Sequence, residues 1–382
     1  MGYDIRTLRI AGAAVIAAAS VAVFAGSASA QPAHARHAGG SGAPVFVQSD
    51  RVAGNTVVAY SRAADGSLDQ QGVYATGGRG GKLDGAAVDD LASQGSLTYD
   101  KAHQQLYAVN AGSDTVTVFD VRGDRLIKRQ VVSSGGNFPV SVAVHGGLVY
   151  VLNALDGGSV QGYVNVGGLL VKVPSWHRAL GLDTATAPQF THTPGQIGFT
   201  PDGGKLVVTT KAAGQSIEVF QVGLLGLSTR PVVTPAPDAV PFGFTFDAAG
   251  RLAVTEAGPN AVATYQVARD GRLTKLSEVA TAQAATCWIV RDGATLYASN
   301  AGSASLTALH TGTAASPRVL GNTPTGAGTV DAAVSSDRAF LYVQTGATGG
   351  VDAFRVNADG SLTAAGSVTV PDATGGEGIV AL

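Results

Sequence analysis

Leu106-Tyr-Ala-Val-Asn-Ala-Gly-Ser-Asp-Thr-Val-Thr-Val-Phe119 contains two short runs of alternating character separated by turn residues. That pattern is the signature of a β-hairpin with one buried face. Its second run recurs along the chain as Asn55-Thr-Val-Val-Ala-Tyr60, Ser159-Val-Gln-Gly-Tyr163, Ser216-Ile-Glu-Val-Phe220, Asn260-Ala-Val-Ala-Thr-Tyr265, Ala304-Ser-Leu-Thr-Ala-Leu309 and Gly350-Val-Asp-Ala-Phe354. Measured between their last residues, the copies lie 59, 44, 57, 45, 44 and 45 residues apart. A period in the mid-forties is the length of one four-stranded propeller blade.

The punctuation around each copy supports the same reading. A β-rich run precedes it, as in Val149-Tyr-Val-Leu-Asn153 or Leu296-Tyr-Ala-Ser-Asn300, and before that a turn such as Asp202-Gly203 or Asp292-Gly293. After it come Asp65-Gly66, Asp270-Gly271 or Asp359-Gly360, read as two-residue hairpin turns with positive φ angles, and then an outer strand. The first unit, from Pro44, begins at its second strand, Val45-Phe-Val-Gln-Ser49, while the last five residues, Gly378-Ile-Val-Ala-Leu382, form an isolated innermost strand. The expected fold is therefore all-β: a seven-bladed propeller over residues 44–382, closed by a C-terminal strand that completes the first blade and removes the open edges. A β-sandwich pair or an open solenoid fits neither the spacing nor the complementary ends.

Residues 1–30 read as a secretion signal of the general type, with Arg6 and Arg9 ahead of an apolar stretch from Ile10 to Phe24 and small residues at Ala28-Ser29-Ala30. Residues 31–43 read as a flexible leader. The expectation is a secreted, extracellular protein. The single cysteine, Cys287, allows no internal disulfide, so stability must come from packing. With 45% hydrophobic and 14% charged residues there is ample material for that. A formal net charge of −2 without a basic stripe gives no footprint for nucleic acid, and no later stretch is apolar enough to span a membrane. A monomer is expected.

Thr193-Pro-Gly-Gln-Ile-Gly-Phe-Thr-Pro-Asp-Gly-Gly-Lys-Leu-Val-Val-Thr-Thr-Lys211 resembles the lactonase-like propellers, a family that includes bacterial 6-phosphogluconolactonases and 3-carboxymuconate-cyclising enzymes. Val240-Pro-Phe-Gly-Phe-Thr-Phe-Asp247, Val254-Thr-Glu-Ala-Gly258, Cys287-Trp288 and Phe354-Arg-Val-Asn-Ala-Asp-Gly-Ser-Leu362 extend the resemblance over residues 44–382. It implies a propeller with lactone hydrolysis or lactonisation at a basic cluster with an acid. Gly195, Gln196 and Lys211 stand at the matching positions, so the expected catalytic types are substituted. The resemblance supports the scaffold more than the activity.

In a propeller the second-strand ends and the crossovers between blades gather at one mouth of the channel, where ligands bind. Those ends are Asp50 or Arg51, Asn110, Asn153, Lys211, Glu256, Asn300 and Thr345. Lys211 and Glu256 share a register in adjacent blades and are the candidate catalytic pair, with a rim salt bridge as the alternative. Asn110, Asn153 and Asn300 are candidate ligand-binding residues or caps of their own loops. Glu377, just ahead of the closing strand, joins the candidates. The two long spacings place inserts near 77–95 and 176–194 on the same face, the second expected to roof the mouth and to bring His192 to the site along with Trp176, His177, Arg178 and Asp183. No zinc, calcium-loop or Gly-x-Ser-x-Gly motif occurs, so neither a metal nor a cofactor is expected. Two functions remain: a secreted lactonase-type hydrolase or cyclase acting on a small polar molecule, and a non-catalytic propeller that binds a small molecule or an extracellular partner.

Overall fold

The computed structural model describes residues 42–312 and 316–382; the expected signal and nearly all of the expected leader lie outside the described residues. Seven antiparallel sheets follow one another along the chain. Their innermost strands are Ile379–Ala381, Leu97–Asp100, Pro139–His145, Ile197–Phe199, Pro241–Phe246, Thr286–Asp292 and Thr329–Val334. Blade 1 is assembled from both chain ends, because Val45, Phe46 and Val47 pair with Ala381, Val380 and Ile379. The ring is closed as the sequence predicted. Blade 4 differs from the others in having its outer strand broken into Gly226–Leu227 and Val232–Pro235.

The recurring aromatic or leucine that ends each sequence copy has a structural cause. The pairing of third and fourth strands slips by one residue at Ala59/Tyr60, Val118/Phe119, Thr264/Tyr265, Ala308/Leu309 and Ala353/Phe354, and by three at Gln161/Tyr163. A bulge sharpens the local twist, and here it falls at the repeated large side chain in every blade whose outer strand is continuous. These side chains are buried between neighbouring blades.

The tyrosines of the preceding strand tie blade to blade. Tyr342 of blade 7 donates its hydroxyl to Gly66 O at 2.9 Å, and Tyr297 of blade 6 donates to Gly360 O at 3.0 Å. Both acceptors lie in Asp-Gly turns of the following blade. Those turns differ from the two-residue form expected: Ala63 and Ser67 close a longer loop in which Gly66 alone takes a positive φ of 95°. Asp65 instead accepts the Ser67 backbone N–H at 3.0 Å, which holds the loop without needing a left-handed aspartate. Phe340 covers Gly66 so closely that an added Cβ would lie 2.2 Å from its ring. Among the described residues no helix is long and apolar enough to cross a membrane.

Candidate functional site: a plugged channel mouth

The antiparallel pairing sets Pro139 beside Asn153, Pro241 beside Glu256, Thr286 beside Asn300 and Thr329 beside Thr345. The starts of inner strands and the ends of second strands therefore share one mouth of the channel, as expected. The first insert does not lie over this mouth; it enters it. Gly80 N donates to Arg51 O at 2.9 Å in blade 1, and Asp90 N to Gly375 O at 2.8 Å beside the closing strand. Ser93 Oγ donates to Val140 O at 2.9 Å in blade 3, and Gln94 N to Gly195 O at 3.0 Å ahead of blade 4. Gln94 exchanges two bonds with Ile289 of blade 6, at 2.8 and 3.1 Å, and Trp288 Nε1 donates to Ser93 O at 2.6 Å. Val88 packs with Phe242 of blade 5, Trp288 of blade 6 and Val330 of blade 7. A segment that touches blade 1 at Gly80 and then blades 3, 4, 5, 6 and 7 between Val88 and Gln94 before leading into blade 2 must cross the channel axis. Residues 88–95 are a plug.

The plug explains where Lys211 goes. Second strand Lys205–Thr209 ends early, and Lys211 opens a four-residue helix, Lys211–Gly214, at a φ of 45°. Its ammonium donates to Ala92 O at 2.7 Å, Phe190 O at 2.6 Å and Thr193 Oγ1 at 2.9 Å, and sits 5.2 Å from the Phe242 ring centre. All three donors are used, two of them pinning the plug and the second insert. Burial pushes its pKa down to about 7, partly offset by Asp89 and then Cys287.

Glu256 points elsewhere. Its carboxylate accepts the Tyr265 hydroxyl at 2.7 Å and the Lys275 ammonium at 3.2 and 3.0 Å, both from outer strands of its own blade. The structure therefore does not bring Lys211 and Glu256 together; the salt bridge Glu256 makes is with Lys275. The carboxylate is fully buried while Lys275 is 41% exposed. Lys275→Met is expected to cost about 1–3 kcal/mol, because it strands a buried acceptor with one partner. Urea unfolding of Lys275→Met beside Lys275→Arg checks this, and equal stability of the two would refute it.

The three asparagines are tied into their own loops. Asn110 donates to Thr115 Oγ1 and Thr117 Oγ1 at 3.1 and 2.9 Å, and Asn300 to Thr307 Oγ1 at 2.9 Å while accepting from Thr286 at 2.7 Å. Asn153 donates to Ser134 O and Ser159 Oγ, each at 3.3 Å, and its Oδ1 is left without a partner. Trp176 does not roof the mouth. It continues the outer strand Leu169–Ala179 and stacks on Tyr150 at 6.0 Å, and Arg178 bonds Ser228 O at 2.8 Å. The remainder of that insert folds into the short helix Gln189–His192, where His192 Nδ1 lies 2.9 Å from Thr191 Oγ1. A cleft of about 210 Å³ opens between this insert and the loop after Asn153, lined by Asp156, Gly157, Asp183, Thr184 and Gln189 among others.

Beneath the plug is a cluster that sequence reading named only in pieces. Asp50, Asp89, Asp331 and Glu377 are each at most 4% exposed. Glu377 Oε1 accepts the Gly95 and Ser96 N–H groups at 2.8 and 3.4 Å, and Asp50 Oδ2 accepts the Glu377 N–H at 2.8 Å. Asp89 accepts from Leu91 N at 2.8 Å and Ser93 N at 2.9 Å, which shapes the plug itself. Burial pushes Asp89 and Asp331 up to about 7, and raises Asp50 and Glu377 as well. The missed signal was Asp331: it stands as a lone acid inside the inner-strand run Thr329-Val-Asp-Ala-Ala-Val334.

The substituted positions are also accounted for sterically. A Cβ on Gly195 would lie 2.8 Å from Phe242 O, and Gln196 Oε1 accepts the Phe244 N–H at 2.6 Å, tying blade 4 to blade 5. Residues 252–378 match the model of the family "Lactonase, 7-bladed beta-propeller". No curated protein matches the chain. Among solved structures, a 6-phosphogluconolactonase candidate from Bacteroides fragilis is 17% identical with a TM-score of 0.71, covering 89% of this chain and 98% of that one. A protein from Lactobacillus plantarum is 19% identical with a TM-score of 0.71 over 88% and 98%. The periplasmic gluconolactonase of Pseudomonas aeruginosa is 18% identical with a TM-score of 0.70, again over 88% and 98%. The chain is a seven-bladed β-propeller, and its last three blades carry the signature of the lactonase propeller family.

Proposed function

We propose that this propeller is exported and serves as a binding module that does not turn over lactones while its channel is plugged. The plug is the observation that carries the reading: residues 88–95 occupy the axis where a substrate would have to sit. Lys211 spends its three donors on Ala92, Phe190 and Thr193, and Glu256 is engaged by Tyr265 and Lys275. Neither is free to act on a ligand at the mouth. Export is supported by the charged, apolar and small-residue order of residues 1–30. The polar cleft between Asp156 and Asp183 is the surface most suited to a small polar molecule rich in hydroxyl or amino donors.

The test is hydrolysis by purified mature protein of a lactone panel that includes glucono-δ-lactone and 6-phosphogluconolactone. Rates equal to the buffer blank are expected. Turnover comparable to a dedicated lactonase, lost in Glu256→Gln or Lys211→Met, would overturn the proposal.

A further inference from the structure

We propose that the plug is a pH-operated gate, seated while the carboxyl groups of Asp50, Asp89, Asp331 and Glu377 retain protons and lifted from the channel when those protons are lost. The inference rests on the plug that carries the proposed function.

Asp89 belongs to the plug, whereas Asp50, Asp331 and Glu377 belong to the wall around it. Glu377 feels Asp331, Asp89 and Asp50 as like charges, so ionising the four together in one buried site is disfavoured. The network has more acceptors than donors. Gln48 gives its amide to Asp50 at 2.5 Å and Gln344 gives its own to Gln48 O at 3.4 Å, leaving Gln48 Oε1, Gln344 Oε1 and Glu377 Oε2 buried without partners. Protons on the carboxyls supply donors and remove charge at once. A metal would need three ligating side chains converging on one point, and among the described residues no such group exists.

Positive charge near the plug does not balance the cluster. Among the described residues, Lys211 is the buried cation that acts on Asp89. Lys82, on the plug's outer side, is paired with Asp90 at 2.7 Å, and Arg51 with Asp372 at 2.9 Å in solvent. Asp84, in the segment leading into the plug, bonds Gln189 of the short helix that ends at His192, and Cys287 behind Lys211 is held as a thiol by burial. Losing the protons therefore sets an anionic plug against an anionic wall in a medium of low dielectric. The plug is a loop with few apolar anchors, Val88, Leu91 and Ala92, with Leu83 and Ala86 in the segment leading into it, so it yields before the blades do.

Trp288 reports on the gate, since its indole N–H is bonded to Ser93 O. Trp176→Phe leaves it as the single tryptophan. Between about pH 5.5 and about pH 8.5, Trp288 emission should shift reversibly to the red and acrylamide quenching should rise roughly threefold or more. Hydrogen exchange corrected for its intrinsic pH dependence should show residues 82–95 losing protection while the strands keep theirs. Asp331→Asn with Glu377→Gln should abolish the transition. Unchanged shielding of Trp288, the same transition in the double variant, or loss of protection in all blades together would overturn the gate and leave the proposed function standing. Lactone turnover at about pH 5.5 with Trp288 shielded would overturn the proposed function and leave the gate standing.

Discussion

Deleting Gly378–Leu382 should leave a protein that aggregates on expression or melts far below the parent. The truncation removes the pairing of Ile379, Val380 and Ala381 with Val47, Phe46 and Val45, together with the bonds from Gln48 N to Gly378 O and from Leu382 N to Pro44 O. It also takes away Ile379, which is 4% exposed and packs with Val45, Val47 and Val351. One buried isoleucine contributes roughly 1.5–3 kcal/mol and each lost backbone bond about 1, so the direct loss exceeds about 5 kcal/mol. That is comparable to the whole stability of an ordinary domain. The strand left behind, Pro44–Gln48, then presents a flat apolar edge to other chains. Size-exclusion chromatography and calorimetry check this. A truncated protein that stays monomeric and melts within about 5 °C of the parent would show that the ring does not depend on its last strand.

That closure was legible because each blade leaves the same mark on the sequence. The alternating third strand ends at a large residue where the outer strand bulges, and the chain ends each carry part of a blade. The inserts were legible in length and face but not in direction. Lys82-Leu-Asp-Gly-Ala-Ala-Val-Asp-Asp-Leu-Ala-Ser-Gln-Gly95 has no period, and what draws it inward is a set of single bonds to distant blades. Such partners cannot be counted from spacing. The second insert misled for a related reason: part of its extra length is an outer strand that runs on to Ala179, so Trp176 packs on its own blade.

The candidate pair failed to meet through local backbone geometry. Equal distance from the repeat anchors placed Lys211 and Glu256 at one level, and they do lie at corresponding strand ends. The left-handed turn at Lys211 swings its side chain under the plug, while Glu256 stays in strand and faces Tyr265. Register fixes a residue's height along the channel; a single φ angle decides which way it points.

The buried acids give the last prediction, a stability that falls as pH rises from about 5 to about 8. Asp50, Asp89, Asp331 and Glu377 have native pKa values above their ordinary ones because burial penalises the charged form, and Glu218 is likewise pushed up to about 7. Between the ordinary carboxyl range and about 7 the native state therefore binds more protons than the unfolded chain, and each step up in pH favours unfolding. Lys211 acts in the opposite sense: lowered to about 7 by burial, it binds fewer protons when folded, so its contribution grows as pH rises above about 7. Asp337, held below its ordinary range by the Arg62 guanidinium, adds stability that is lost only as pH drops below about 4. The optimum should lie near pH 5, with the melting temperature down by on the order of 5 °C at about pH 8, equivalent to roughly 2–3 kcal/mol, and levelling above that as Lys211 takes effect. Because the cluster's cost is carried by charge, Asp331→Asn with Glu377→Gln should flatten the profile while leaving the melting temperature at about pH 5 nearly unchanged. Calorimetry in steps from about pH 4.5 to about pH 9 reads both effects. A melting temperature that rises or stays level over the first half of that range would mean that these carboxyls are ionised in the folded protein and that the plug seats against a charged wall.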